Sequence, residues 1–107
     1  MKFVKIKPLN LKAQKITSLS GMARGLMFSK KKNLLFEFRK EQNVGIHMLF
    51  VFFPIIAVWI DKNKKIKNVK RMKPFVSFHE EKAKYILEIP FDKKLFLRLR
   101  KLRNLKF

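Results

Sequence analysis

Apolar residues recur along this chain in three patterns: alternating, continuous and helical. Lys2–Lys7, KFVKIK, alternates polar and apolar positions and predicts a first strand, which Pro8 ends. Ile46–Ile60, IHMLFVFFPIIAVWI, holds no formal charge over 15 residues. A spanning helix needs about 20 apolar residues, and Pro54 would break a helix within this run. Phe, Val, Ile and Trp also favour strands. The run therefore predicts two buried strands, His47–Phe53 and Ile55–Ile60, with Pro54 at the corner between them. It does not read as a transmembrane segment.

Leu34–Phe38 predicts another strand, and RKEQNVG after it reads as a polar hairpin loop ending at Gly45. Asp61–Lys65, DKNKK, places Asp and Asn where tight turns favour them. Ile66–Met72 predicts a less buried strand, and Pro74 opens a loop over Lys73–Lys82. Ala83–Ile89 alternates, which puts Ala83, Tyr85, Leu87 and Ile89 on one face.

Two segments carry the helical period. Residues 18–29 align Leu19, Met22 and Leu26 behind a Thr17 or Ser18 cap. Gly21 and Gly25 each lower the helix propensity there by about 1 kcal/mol. The tail FDKKLFLRLRKLRNLKF puts Leu95, Leu99 and Leu102 at helical spacing, with Asp92 as N-cap. It either stays helical or turns at Asn104 into a short strand. The fold expected is mainly β: a small single-domain barrel or rolled sheet, 1–107, with one short helix near 18–29 and a basic C-terminal helical segment.

Charge changes the picture more than length does. Lys and Arg number 27 against 7 Asp and Glu, a formal balance of +20. Such a field attracts polyanions such as RNA, DNA or anionic lipid. The rival reading is a general lysine bias, since most lysines stand in ones and twos. With 12 Phe and only 3 Gly the composition is that of a folding chain. There is no cysteine, which excludes disulfides, thiolate nucleophiles and Cys-ligated zinc. The N-terminus lacks the apolar core of a secretory signal, so a cytoplasmic location is expected.

Three stretches in fixed order carry a family resemblance. They are RGLMF at Arg24–Phe28, HMLFVFFPI with VWID within His47–Asp61, and AKYILEIP at Ala83–Pro90. The chain resembles the uncharacterised family named domain of unknown function 192, especially its archaeal members, over roughly Ile16 to Pro90. The resemblance implies a small β-rich, barrel-like domain with one short helix bearing GLM, and no known activity. It also implies an Asp where this chain has Ile56, and a Gly-Asp turn that the tail lacks.

No catalytic motif is complete. His47, His79, Glu80 and Glu81 match no zinc spacing, so no metal is expected. The serines lie in no nucleophile context, no glycine-rich phosphate loop exists, and no cofactor is implied. One candidate pocket groups Arg24, His47 and Glu88, with Arg24 and Glu88 as an internal pair or an anion site. The candidate polyanion-binding residues are Lys30, Lys31, Lys32, Lys64, Lys65, Lys67, Lys70, Arg71, Arg98 and Lys101. Phe75 and Phe78, after Pro74, are the phenylalanines expected to be partly exposed. The pattern favours a binding module over an enzyme, with RNA or another polyanion as partner. The rivals are the pocket just named and membrane attachment through the basic tail.

Overall fold

β-branched residues leave Ile55–Ile60 little choice but a strand, and that strand forms the most buried element of the fold. The computed structural model describes residues 2–18, 30–48 and 50–107. It contains β1 (Phe3–Ile6), β2 (Leu11–Ile16), β3 (Leu34–His47), β4 (Ile55–Ile60), β5 (Ile66–Met72), β6 (Phe78–Pro90) and α1 (Lys93–Lys101). The strands make one sheet in the order β1-β2-β3-β6-β4-β5. All pairs are antiparallel except β2 with β3. The fold is mainly β, and its sheet curls without closing, so it is the rolled sheet of the two expected forms. The helix expected near 18–29 falls, from residue 19 on, outside the described residues.

Both faces of β4 are covered. Ile55, Ala57 and Trp59 join Leu34, Phe36 and Ile86 in one core cluster. Ile56, Val58 and Ile60 join Leu35, Leu87 and Leu99 of α1 in the other. This explains the uncharged run: a strand buried twice has no polar face. Ile56, where the family resemblance implies an Asp, is fully buried in the second cluster.

The structure corrects four sequence-based expectations. RKEQNVG is not a hairpin loop, because β3 runs through it to His47. Its polar side chains are tolerated because much of that stretch is exposed while its backbone pairs with β6. The second correction concerns His47–Phe53, which is not a strand. Pairing stops at His47, Val51 donates to the Met48 carbonyl, and Phe50 turns at φ 58°. Third, β6 begins at Phe78, inside the expected loop, and Ala83 faces away from Tyr85, Leu87 and Ile89. A register shift between Glu37 and Gln42 changes the phase of the ladder there and lets the β3–β6 arm bend. Finally, Leu11–Ile16 is a strand that the sequence reading left out.

The arm folds over the first core cluster. Trp59 Nε1 donates to the Val44 carbonyl at 3.2 Å, and its ring meets His79 edge-on at 4.8 Å. Glu81 completes the contact by accepting from Asn68 Nδ2 at 2.8 Å and bonding His79 Nε2 at 2.9 Å. Burial pushes the Glu81 carboxyl up, but the His79 and Asn68 hydrogen bonds outweigh it and hold the group below its ordinary value.

The tail follows both of its expected forms in turn. Asp92 caps α1, accepting from the Leu95 amide at 3.1 Å. Asp92→Ala should cost about 1 kcal/mol, read as a drop in thermal midpoint of several degrees. Beyond Leu102 the chain extends. Lys106 exchanges both amide bonds with Lys7, at 2.8 and 2.9 Å. Leu105 donates to the Lys64 carbonyl at 3.0 Å, and Ile66 donates to that of Arg103 at 2.8 Å. The tail therefore links the end of β1 to the start of β5, the two outer strands of the sheet.

Candidate polyanion interface

Strand register decides which cations share a surface. Leu34, Glu88, Ala57 and Lys70 lie in one row across β3, β6, β4 and β5, and Pro90, Ile55 and Met72 in the row two residues further. So β3 and β4 begin, and β5 and β6 finish, at one end of the sheet. Lys30, Lys31 and Lys32 enter β3 there, Lys70 and Arg71 leave β5 there, and Lys73 follows; all six are exposed. A line of contacts joins the two groups. The Lys31 ammonium lies 6.0 Å from the Phe53 ring centre, the adjacent Pro54 carbonyl accepts from the Phe91 amide at 2.9 Å, and the Arg71 guanidinium covers the Phe91 ring at 4.4 Å.

Little negative charge offsets this end. The Asp92 carboxylate is taken by the helix cap. Glu37 pairs with Lys15 at 2.7 Å, Glu41 accepts from the Lys62 amide, and Asp61 holds its own turn. Among the described residues none of the six basic-end cations is ion-paired to a carboxylate.

The other candidate cations sit elsewhere. Lys65 precedes β5 at the opposite end, and Lys67 is exposed early in that strand. Lys64 lies over the Phe107 ring at 4.5 Å and bonds the Phe107 carbonyl, so it anchors the tail. Arg98 donates to the Pro8 carbonyl at 2.7 Å, and Lys101 is exposed at the last turn of α1. The structure thus brings Lys30, Lys31, Lys32, Lys70 and Arg71 to one end of the sheet, with Lys70 and Arg71 on opposite faces of β5, and leaves Lys64, Lys65, Lys67, Arg98 and Lys101 apart from them.

Of the candidate pocket residues, Arg24 lies outside the described residues. His47 is exposed opposite Phe78, at the far end of the β3–β6 ladder from Glu88. Glu88 is buried on the central strand β6, between Leu34 and Ala57. Burial pushes its carboxyl up from 4.5 to about 7. Among the described residues no cluster of three His, Asp or Glu could hold a metal. A small hollow of about 100 Å³ lies elsewhere, bounded by Lys15, Glu37, Lys64, Tyr85 and Phe107.

Sequence reasoning missed part of the basic end. Phe75 and Phe78 are exposed as expected, but so are Phe50, Phe52 and Val76. In the run from Phe50 to Phe53, exposed and buried residues alternate. An unbroken apolar string conceals such alternation, since every position reads as core. Phe50 and Phe75 both adopt left-handed backbone, at φ 58° and 65°. That conformation costs a bulky residue roughly 1–2 kcal/mol, and such strain gathers where structure serves function.

The architecture defines a class first: a rolled six-stranded β-sheet domain with a basic C-terminal helix. Its sequence places it further, because the model of the DUF192 family, described as "Uncharacterized ACR", matches residues 3–99, and the chain belongs to that family. Two solved structures share the fold. One is a "putative transcription regulator" from Sinorhizobium meliloti, with a TM-score of 0.77 and 20% identity over 90% of this chain and 81% of that one. The other is a protein of unknown function from Novosphingobium aromaticivorans, with a TM-score of 0.77 and 13% identity over 100% of this chain and 94% of that one. Neither supports the archaeal leaning of the sequence reading. No curated protein matches the chain.

Proposed function

We propose that the chain is a non-enzymatic binding module whose partner is a polyanion, met at the basic end of the sheet. The observation that carries this reading is the meeting of Lys30–Lys32 with Lys70, Arg71 and Lys73, which stand some forty positions apart in sequence, on one end poor in acid. RNA is the polyanion to which the sequence pointed, and the regulator label of one fold neighbour is compatible with it. Filter binding of heparin and of generic RNA across a salt series tests the reading. Affinity should fall steeply with salt as counterions are released. Lys31→Glu with Arg71→Glu should weaken binding about tenfold or more, by turning attraction at two phosphate contacts into repulsion. Binding that ignores salt, or survives this double reversal, would sink the reading.

Glu88 supports a second reading, a small-molecule pocket on the first core face. A carboxyl raised to about 7 can exchange a proton near neutral pH. Glu88 alone carries that reading, since His47 stands at the other end of the β3–β6 ladder. A ligand whose thermal stabilisation of the protein vanishes in Glu88→Gln would establish it.

A further inference from the structure

We propose that the polyanion met at the basic end is the surface of an anionic lipid bilayer, and that Phe50, Phe52, Phe75 and Val76 enter its headgroup layer. This rests on the polyanion reading above and names its occupant. Two turns build the apolar tip. In the first, Val51 donates to the Met48 carbonyl. In the second, Val76 donates to the Pro74 carbonyl and Ser77 Oγ accepts from the Lys73 amide at 2.7 Å. The Phe75 amide donates to the Met48 carbonyl at 2.9 Å, and the Phe52 and Phe75 rings meet edge to face at 5.2 Å. The two turns therefore present one surface.

That surface is apolar beyond what solubility favours. Phe52 is 61% exposed and Val76 is 76% exposed. Lys73 opens the second turn, Lys31 lies over Phe53, the neighbour of Phe52, and Arg71 covers Phe91, whose amide bonds the Pro54 carbonyl. An apolar tip with cations near its base matches a layer that is hydrocarbon inside and negative at its surface. The alternative occupant, single-stranded RNA, fits less well. Bases bind by stacking on open ring faces, whereas Phe52 and Phe75 turn an edge on a face, and Val76 has no ring to offer. Val76 gains most from contact with acyl chains. The tail helix is not the anchor in this reading. Leu99 of α1 is buried in the second core cluster, and Leu95 and Leu102 pack against it.

Co-sedimentation of the full chain with vesicles tests the inference. Vesicles of phosphatidylcholine and phosphatidylglycerol in equal parts should carry the protein down, and vesicles of phosphatidylcholine alone should not. Phe52→Ala with Phe75→Ala should lose about tenfold or more in partitioning, while its heparin affinity stays unchanged and its thermal midpoint falls by only a few degrees. Val76→Asp, at a site that packs on little, should lose vesicle binding in the same way. Vesicle binding that persists in both variants overturns the inference. So does heparin binding by the native chain without binding to the anionic vesicles, an outcome that leaves the polyanion reading standing. Loss of heparin and vesicle binding together in the native chain overturns both readings. Single-stranded RNA bound by the native chain and released by the Phe52→Ala, Phe75→Ala variant, with vesicles ignored, reassigns the surface to RNA.

Discussion

Trp59→Ala should destabilise the protein by about 3–5 kcal/mol, in the range of buried Trp-to-Ala truncations. Trp59 is fully buried on β4, in the row of Phe36, Ile86 and Asn68, and the β3–β6 arm folds down upon it. Removing the indole leaves a cavity beneath the arm. It also takes away the Nε1 donor from the Val44 carbonyl and the edge contact to His79. A domain of this size holds about 5–15 kcal/mol in total, so the variant keeps a fraction of its stability. Trp59→Phe separates the terms: it retains a ring and loses the hydrogen bond, and should cost less than the alanine change. Urea unfolding followed by circular dichroism is the suitable measurement, because Trp59 is the single tryptophan and both variants lose its fluorescence. Equal losses for Ala and Phe would assign the effect to the Nε1 hydrogen bond, and negligible losses in both would show that the arm does not lean on the indole.

Glu88→Gln should make the protein more stable above neutral pH and no more stable in acid. In the unfolded chain the carboxyl titrates near 4.5, whereas burial in the fold pushes it to about 7. Between those values the folded state holds a proton that the unfolded state has released. Stability is therefore full below the lower value and declines as pH rises through the window. At about 1.4 kcal/mol per pH unit, the loss across that window is about 3 kcal/mol. Glutamine stays neutral, so its curve lacks this decline. Unfolding free energies measured at about pH 5 and about pH 8 should show the variant and native curves separating by that amount. Taking the difference of the curves cancels every group that the two proteins share. Parallel curves would mean that Glu88 stays ionised in the fold or finds a compensating charge.

The two fates of the apolar run show what the chain's chemistry makes legible. Ile55–Ile60 was readable because each residue, whichever face it takes, meets the same demand for burial. Phe50–Phe53 was misread for the same reason, since nothing in an apolar string says which members the backbone will turn outward. The polar stretch of β3 was misread in the opposite sense. Its residues suit a loop, and its strand character comes from pairing with Gln42–His47 opposite Phe78–Ala83, a tertiary fact. Ala83 joins the other cluster where the arm bends, beside a register shift whose extra residues lie on β3, and nothing in its own local sequence marks that. The candidate interface was half legible. Charge announced a polyanion, but which lysines converge depends on strand order, and Lys64 and Arg98 proved to hold carbonyl oxygens of the protein itself.

The bridge between Lys7 and Lys106 ties together residues far apart in the sequence. A contact of that span encloses nearly the whole sequence in one loop, and closing it carries the entropy cost of ordering everything between. It is favourable only once the sheet already holds both partners near each other. The bridge therefore acts as a test of completion. A chain that has folded only in part cannot make it, so the outer strands gain their last partners together and late. Contacts of such long range slow folding, and in return they couple the first strand, the fifth strand and the tail into one cooperative unit.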